Sequence, residues 1–320
     1  MPGTPQLGAG VVLTSARGQN SADARRNDRG GWLRSNTVEF GMSTNAAERA
    51  VEHEYVLGTN EAELERLGLQ HRLWGAQAYA LWERAGFRPG CAILDIGCGP
   101  GFATFDLAAL VGGAGRVIAV DSSQRFLDHV RAQCAARGVR NVELLAADVG
   151  RLALPAESLD GAYARWVLCF VPDPAAVVRA VAQALRPGAA LAVQDYFDYA
   201  SLTLAPRSPV FARIVDAVNR SWRAHGGDPD VVGRLPRLLA ECGLELRELR
   251  PHLRVARPHD PLWQWPATFF RNFVPAMVRE GFLTAQDQAD FENDWAERSR
   301  DPNSFFVAPP VYDVLAVKPG

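Results

Sequence analysis

Three glycines, Gly97, Gly99 and Gly101, punctuate the stretch AILDIGCGPGFATFDLA between Ala92 and Ala108. Apolar residues run into the cluster and an apolar, helix-like segment leaves it. That is the outline of a strand, a tight turn and a helix, a cradle for nucleotide-containing ligands. Glycine lets the backbone turn sharply and come close to a ligand. The helix start adds unpaired N–H groups. A tight turn that binds nothing has the same outline, so further residues must decide.

Two carboxylates supply them. Asp121 ends VIAVDSS, 24 residues beyond Gly97, where an acidic side chain can accept both ribose hydroxyl protons. Asp148 ends ELLAADV, placed to reach the edge of an adenine ring. A dinucleotide, a nucleoside triphosphate and S-adenosylmethionine all bind at such turns. The dinucleotide fingerprint needs a glycine where Phe102 stands. Among the 34 basic residues the only lysine is Lys318. That removes the lysine of a phosphate-binding P-loop, of a pyridoxal Schiff base and of the short-chain dehydrogenase Tyr-x-x-x-Lys pair.

The elements that must position these residues are legible as rhythm. Asn60 is placed to cap a helix, with Glu63 at the reciprocal capping position. Leu64, Leu67, His71, Trp74, Ala78 and Leu81 are expected on its one apolar face, with His71 a core histidine. Beyond the Arg88-Pro89-Gly90 break, AILDI, RVIAV, VELLAA, GAYARWVLCFV and ALAVQDY alternate with helical segments. Asp173-Pro174 opens the last of these helices and Pro187-Gly188 stops it. Such alternation predicts an α/β fold: a Rossmann-like, doubly wound, mostly parallel seven-stranded sheet with a helical N-terminal extension. A helix near 229–242, a strand near 244–254 and the closing FFVAPPVYDVLAVKP would complete it.

Residues 197–228 and 258–304 interrupt the rhythm, and they read as cap insertions after strands five and six, over the sheet's carboxyl edge. The expected organisation is a disordered, Gly/Ser/Asn/Arg-rich arm over 1–41, with Met42 as an alternative start. N-terminal helices and a cofactor-binding core follow over 42–196, and the rest of the sheet with its caps over 197–320.

Composition narrows the function classes. A net charge of −2 tells against a nucleic-acid partner. No apolar run approaches the roughly eighteen residues of a membrane span. The 5 cysteines contain no C-x-x-C pair, which points to a reduced, cytoplasmic protein without structural zinc or other metal.

As a set, ILDIGCGPG, VIAVDSS, AADV, LDGAYARWVLCFVPDP and ALRPGAALAVQDY resemble the motifs of class I S-adenosylmethionine-dependent methyltransferases. The likeness is close over about residues 50–196 and loose beyond. It implies S-adenosyl-L-methionine as cofactor. Asp95, Gly97, Cys98, Gly99 and Gly101 would lie along its methionine part, Asp121 and Ser122 at the ribose, and Asp148 and Val149 at the adenine. The upstream YVLGTNEAELERLGLQHRLW is similar to the cofactor-covering helix of small-molecule members, which would bring Tyr55, Arg66 and Gln70 near the methionine carboxylate. Arg165 could hold that carboxylate or an anionic acceptor.

Methyl transfer from a sulfonium is an in-line displacement with an activated donor, so alignment and exclusion of water do most of the work. A base is needed only where the acceptor must lose a proton, and His225, His252 and His259 are the candidates in or beside the caps. Tyr196, Tyr199, Trp263 and Phe270 are expected to line the acceptor pocket, with Trp265, Phe269 and Phe273 in the same aromatic lid. The leading expectation is a methyltransferase of a small, partly apolar, aromatic molecule. The alternatives are a protein or RNA acceptor, which requires a basic groove, and a non-catalytic cofactor-binding module, which requires a filled pocket.

Overall fold

The computed structural model describes residues 60–320. The arm over 1–41, Met42 and Tyr55 lie outside the described residues. The chain enters through α1 (Glu61–Arg84), and Asn60 caps it, its side-chain oxygen accepting the Glu63 N–H at 3.0 Å. The reciprocal half of the expected capping box does not form. The Glu63 carboxylate instead accepts both Nε and Nη2 of Arg66, each at 2.7 Å. The inward face is rotated accordingly: Glu63, Arg66, Gln70, Trp74, Ala78 and Leu81 are buried, while Leu64, Leu67 and His71 are only half-buried. A helix from the cap packs on that polar first half, so tertiary contact overrides the apolar stripe.

The central run is β1 (Ala92–Ile96), α2 (Phe102–Val111), β2 (Arg116–Asp121), α3 (Gln124–Arg137), β3 (Val142–Ala146), β4 (Leu159–Arg165), α4 (Pro174–Ala184) and β5 (Leu185–Tyr196). These five strands pair in parallel. After β5 come β6 (Thr203–Ala205), α5 (Pro209–Ala224), α6 (Leu235–Glu241), β7 (Glu245–His252) and β8 (Val255–Ala256). The chain ends with α7 (Gln264–Arg279), α8 (Ala285–Arg300), β9 (Phe305–Val307) and β10 (Val311–Val317). The large sheet runs β3-β2-β1-β4-β5-β10-β7, with β10 antiparallel to both neighbours. Strand order reverses between β1 and β4, and there the carboxyl ends open a crevice for a ligand. The expected seven-stranded, doubly wound sheet is what forms.

The cap holds one element that the sequence does not announce. β6, β9 and β8 make a separate three-stranded antiparallel sheet. Strands of two or three residues are too short to show alternation. The three cap helices close around rings packed edge to face, Phe211 against Phe270 at 5.3 Å and Phe270 against Phe291 at 5.5 Å.

Two sets of buried polar groups tie these layers together. Tyr163 on β4 donates to Gln194 on β5 at 2.7 Å, and Gln194 donates to Asp313 on β10 at 2.7 Å. Asp313 also accepts from Arg84 at the end of α1 at 2.6 Å, so this chain anchors α1 across the sheet. Near the glycine turn, Asp95 on β1 accepts the Thr104 hydroxyl at 2.6 Å. Burial pushes the Asp95 carboxyl up to about 7, and Thr104 and Arg165 only partly oppose this. Burial likewise raises Asp195, at the end of β5, to about 6.

Replacing Asp313 with Ala takes the acceptor from Gln194 and leaves Arg84 with only Glu248 across the sheet, and urea denaturation should show a loss of about 3 kcal/mol. A loss comparable to that of a surface substitution would contradict the anchoring role. The buried carboxyls carry a pH prediction as well. A carboxyl raised in the folded state holds its proton where the unfolded chain has lost it. Its stabilising contribution is therefore complete below the ordinary carboxylate range and disappears as pH climbs toward 7. Asp95→Asn should raise the melting temperature at pH 8 and leave it nearly unchanged at pH 4, as scanning calorimetry can measure. The same change at both pH values would contradict the assignment.

Candidate functional site

The glycine turn lies at the switch point, and its geometry follows from what surrounds it. Gly97 has φ +60°, and a Cβ there would fall 2.6 Å from Val167, which comes just after β4. Gly101, in the left-handed region ahead of α2, is packed against Val130 in the same way. Gly99 differs. It has φ +52°, and a Cβ there would meet no atom within 4 Å. Two glycines thus seat the turn on its neighbours, and the third faces open space where a ligand can approach the backbone.

Asp121 is positioned from both sides. Its carboxylate accepts the Gly99 N–H and the Ser123 N–H, each at 2.8 Å. Burial raises this carboxyl, while those backbone donors pull it down. Asp148 is turned onto its own loop, where it accepts the Gly150 N–H at 2.9 Å, and Val149 beside it is buried. Cys98 is buried within the turn, and desolvation drives its thiol well above its ordinary range, so it packs rather than reacts.

Arg165 ends β4 and contacts Nδ1 of His71 at 2.8 Å, and Nε2 of His71 meets Asp106 at 2.8 Å. His71 is therefore not the expected core histidine. It stacks on Phe102 at 5.8 Å and links α1, α2 and β4. A polar chain can cross this interface because α1 lies over the start of α2. Nη1 of Arg165 is buried and has no partner among the described residues. An unpaired buried guanidinium nitrogen calls for an anion.

Beyond Arg165 the chain leads into a cavity between the sheet edge and the cap. Trp166 has φ +52°, a conformation costing a non-glycine residue of order 1–3 kcal/mol. That backbone places its ring 5.6 Å from Trp74 and 6.1 Å from both Tyr196 and Trp265. The cavity walls are Trp166 and Phe170 after β4, Tyr196, Tyr199 and Trp222 after β5, and Trp265, Phe269 and Phe270 on α7. Arg66 and Gln70 on α1 close one end.

The structure brings Tyr196, Tyr199 and Phe270 together as expected. Trp263 is displaced from that role: it stacks on Trp295 at 4.9 Å, donates to Ser299 at 3.2 Å and belongs to the cap core. None of the three histidines lines the cavity. His225 caps α5 and contacts the Ser221 carbonyl at 2.8 Å. His252 on β7 meets Asp313 at 2.9 Å, and His259 is exposed in a turn. The end of α5, strand β7 and an exposed turn thus hold the three imidazoles away from the cavity. Arg66, expected near a cofactor carboxylate, is already matched by Glu63. Trp166, Phe170 and Trp222 were not singled out from the sequence. Within RWVLCF and NRSW nothing distinguishes a wall residue from a core residue.

Comparison with known proteins fits this geometry. A family model described as a methyltransferase domain matches residues 93–188. Nocamycin O-methyltransferase of Saccharothrix syringae is 32% identical over 193 residues, 56% of this chain and 69% of that protein. Demethylmenaquinone methyltransferase of Lactococcus lactis is 34% identical over 119 residues, 37% of this chain and 46% of that enzyme. A 37.1 kDa Streptomyces fradiae protein is 34% identical over 53% of this chain and 48% of its own length. The chain thus spans about half the length of the latter two of these curated relatives. Among solved structures, a candidate methyltransferase of Bacillus halodurans shares the fold at a TM-score of 0.54 and 18% identity, over 76% of this chain and 98% of that one. The matched domain spans the glycine turn and β2 to β4, and with the nocamycin enzyme as a relative over most of its length the chain belongs to the class I S-adenosylmethionine-dependent methyltransferases.

Proposed function

We propose that the chain transfers a methyl group from S-adenosylmethionine to a small, partly apolar, aromatic acceptor. The observation that carries this reading is the aromatic cavity, reached through Trp166 from the same segment whose Val167 seats the glycine turn. The residues present fit the cofactor. Gly97 and Gly99 would border its methionine part, Asp121 with Ser122 its ribose, and Asp148 with Val149 its adenine. The unpartnered Nη1 of Arg165 would take its carboxylate. When bound, the sulfonium supplies an activated methyl group for in-line displacement. The chain's own contribution is to hold the acceptor between rings, keep water out and fix the approach.

The cap argues for a small acceptor. A nucleic acid or protein chain needs an open, charged approach, whereas these walls are aromatic and lie under α7. No helix among the described residues is long and apolar enough to cross a membrane.

Replacing Asp121 with Ala removes the acceptor for two ribose hydroxyls and should weaken S-adenosylmethionine binding by about 1–3 kcal/mol in calorimetry. Unchanged affinity would remove the ribose from Asp121. Phe269→Ala opens the cavity wall away from the turn. It should leave S-adenosylmethionine affinity unchanged while lowering kcat/KM for any acceptor found by screening for demethylated product. An equal fall in cofactor affinity would contradict the division into two sites.

A further inference from the structure

The end of the cavity at α1 is built to read one kind of group. Gln70 lies at the cavity wall with only 8% of its surface exposed. Its amide oxygen accepts from Arg66 Nη1 at 2.9 Å and from Trp265 Nε1 at 2.8 Å. A guanidinium and an indole N–H are donors only, so the oxygen must face both of them. The amide cannot flip without setting donor against donor. Its nitrogen makes no hydrogen bond among the described residues and is the donor left over at a residue that lines the cavity. Arg66 is itself held by the two-pronged pair with Glu63, which cancels its charge and fixes its direction. Two more residues of the wall, Trp166 and Trp222, carry buried indole N–H groups with no partner among the described residues. Buried donors left unpaired cost stability, and a ligand that pairs them recovers it.

We infer that the cavity selects a flat ring system bearing a hydrogen-bond-accepting oxygen, a ring carbonyl or phenolate, with Gln70 as the obligate donor that reads it. Trp265, Arg66 and Glu63 act as positioning residues that lock the amide. This rests on the acceptor-site reading above and goes further: it reverses the expectation that Gln70 serves the cofactor carboxylate. The two long faces of the ring would lie against Trp and Tyr side chains, and its oxygen would point to α1. A ring carrying only N–H donors would set donor against donor and be rejected. Polar readout of this kind discriminates far better than apolar fit.

The test uses two flat bicyclic probes of similar size: chromone, with acceptor oxygens only, and indole, with an N–H donor only. Binding of each is measured by equilibrium dialysis to the full chain saturated with S-adenosylhomocysteine. The expected result is roughly tenfold tighter binding of chromone, the worth of one well-made hydrogen bond. Gln70→Glu keeps an oxygen for Arg66 and Trp265 but replaces the donor with an acceptor. It should invert the order of the two probes and leave S-adenosylhomocysteine affinity unchanged. Gln70→Met, as a second variant, should erase the preference without inverting it. Equal binding of both probes, binding of neither, or a preference that survives in both variants would overturn the inference. So would a collapse of S-adenosylhomocysteine affinity in Gln70→Glu, which would return Gln70 to the cofactor. Failure of the native chain to bind S-adenosylhomocysteine at all would overturn the methyltransferase reading itself and this inference with it.

Discussion

The contact between Gly97 and Val167 is the constraint on which the rest depends. A Cβ at Gly97 would lie 2.6 Å from the valine, so the first turn of the cofactor cradle and the segment leaving β4 occupy one another's space. That segment carries Arg165 on one side of the valine and Trp166 beside it. Seating the turn therefore sets where the Arg165 guanidinium ends and where an aromatic wall begins. The left-handed backbone of Trp166 has its conformational cost met by packing against Trp74, Trp265 and Tyr196.

From that contact outward, the fold divides labour between the two faces of α1. One face, with Gly68 and His71, lies against Phe102 and reaches Arg165 and the start of α2. The other, with Arg66 and Gln70, lies against Trp265 and Phe269 on α7. A single helix can serve both because residues four apart share a face while their neighbours turn away. The Arg84–Asp313–Gln194–Tyr163 chain holds the far end of the same helix to the sheet. The sheet thus sets where α1 lies, and α1 sets the ends of both sites.

The glycine turn, the place of Asp121 at a strand end and the alternation of strands with helices were legible in the sequence because each is local: a turn needs glycine, and a buried parallel strand needs a continuous apolar run. The cap was legible as an interruption, but its inner arrangement was not. Trp263 and Trp265 differ by two positions, yet one stacks in the cap core and the other donates to Gln70. Only the docking of α7 on α1 separates them. The spacing of Asn60 and Glu63 fits a capping box equally well, and a buried arginine three residues on took the carboxylate instead. The three histidines share a stretch of sequence with the cavity residues, yet they sit at a helix end, on β7 and in an exposed turn, away from it. Long-range packing decided each of these points, and no short window of residues contains it.

The most direct test of the account is a calorimetric titration of the purified chain with S-adenosylmethionine, with NAD and NADP as parallel ligands. The account predicts micromolar binding of S-adenosylmethionine alone. The dinucleotide fingerprint fails at Phe102, where its third glycine would stand. Binding of a nicotinamide dinucleotide in its place, or of nothing, would contradict it.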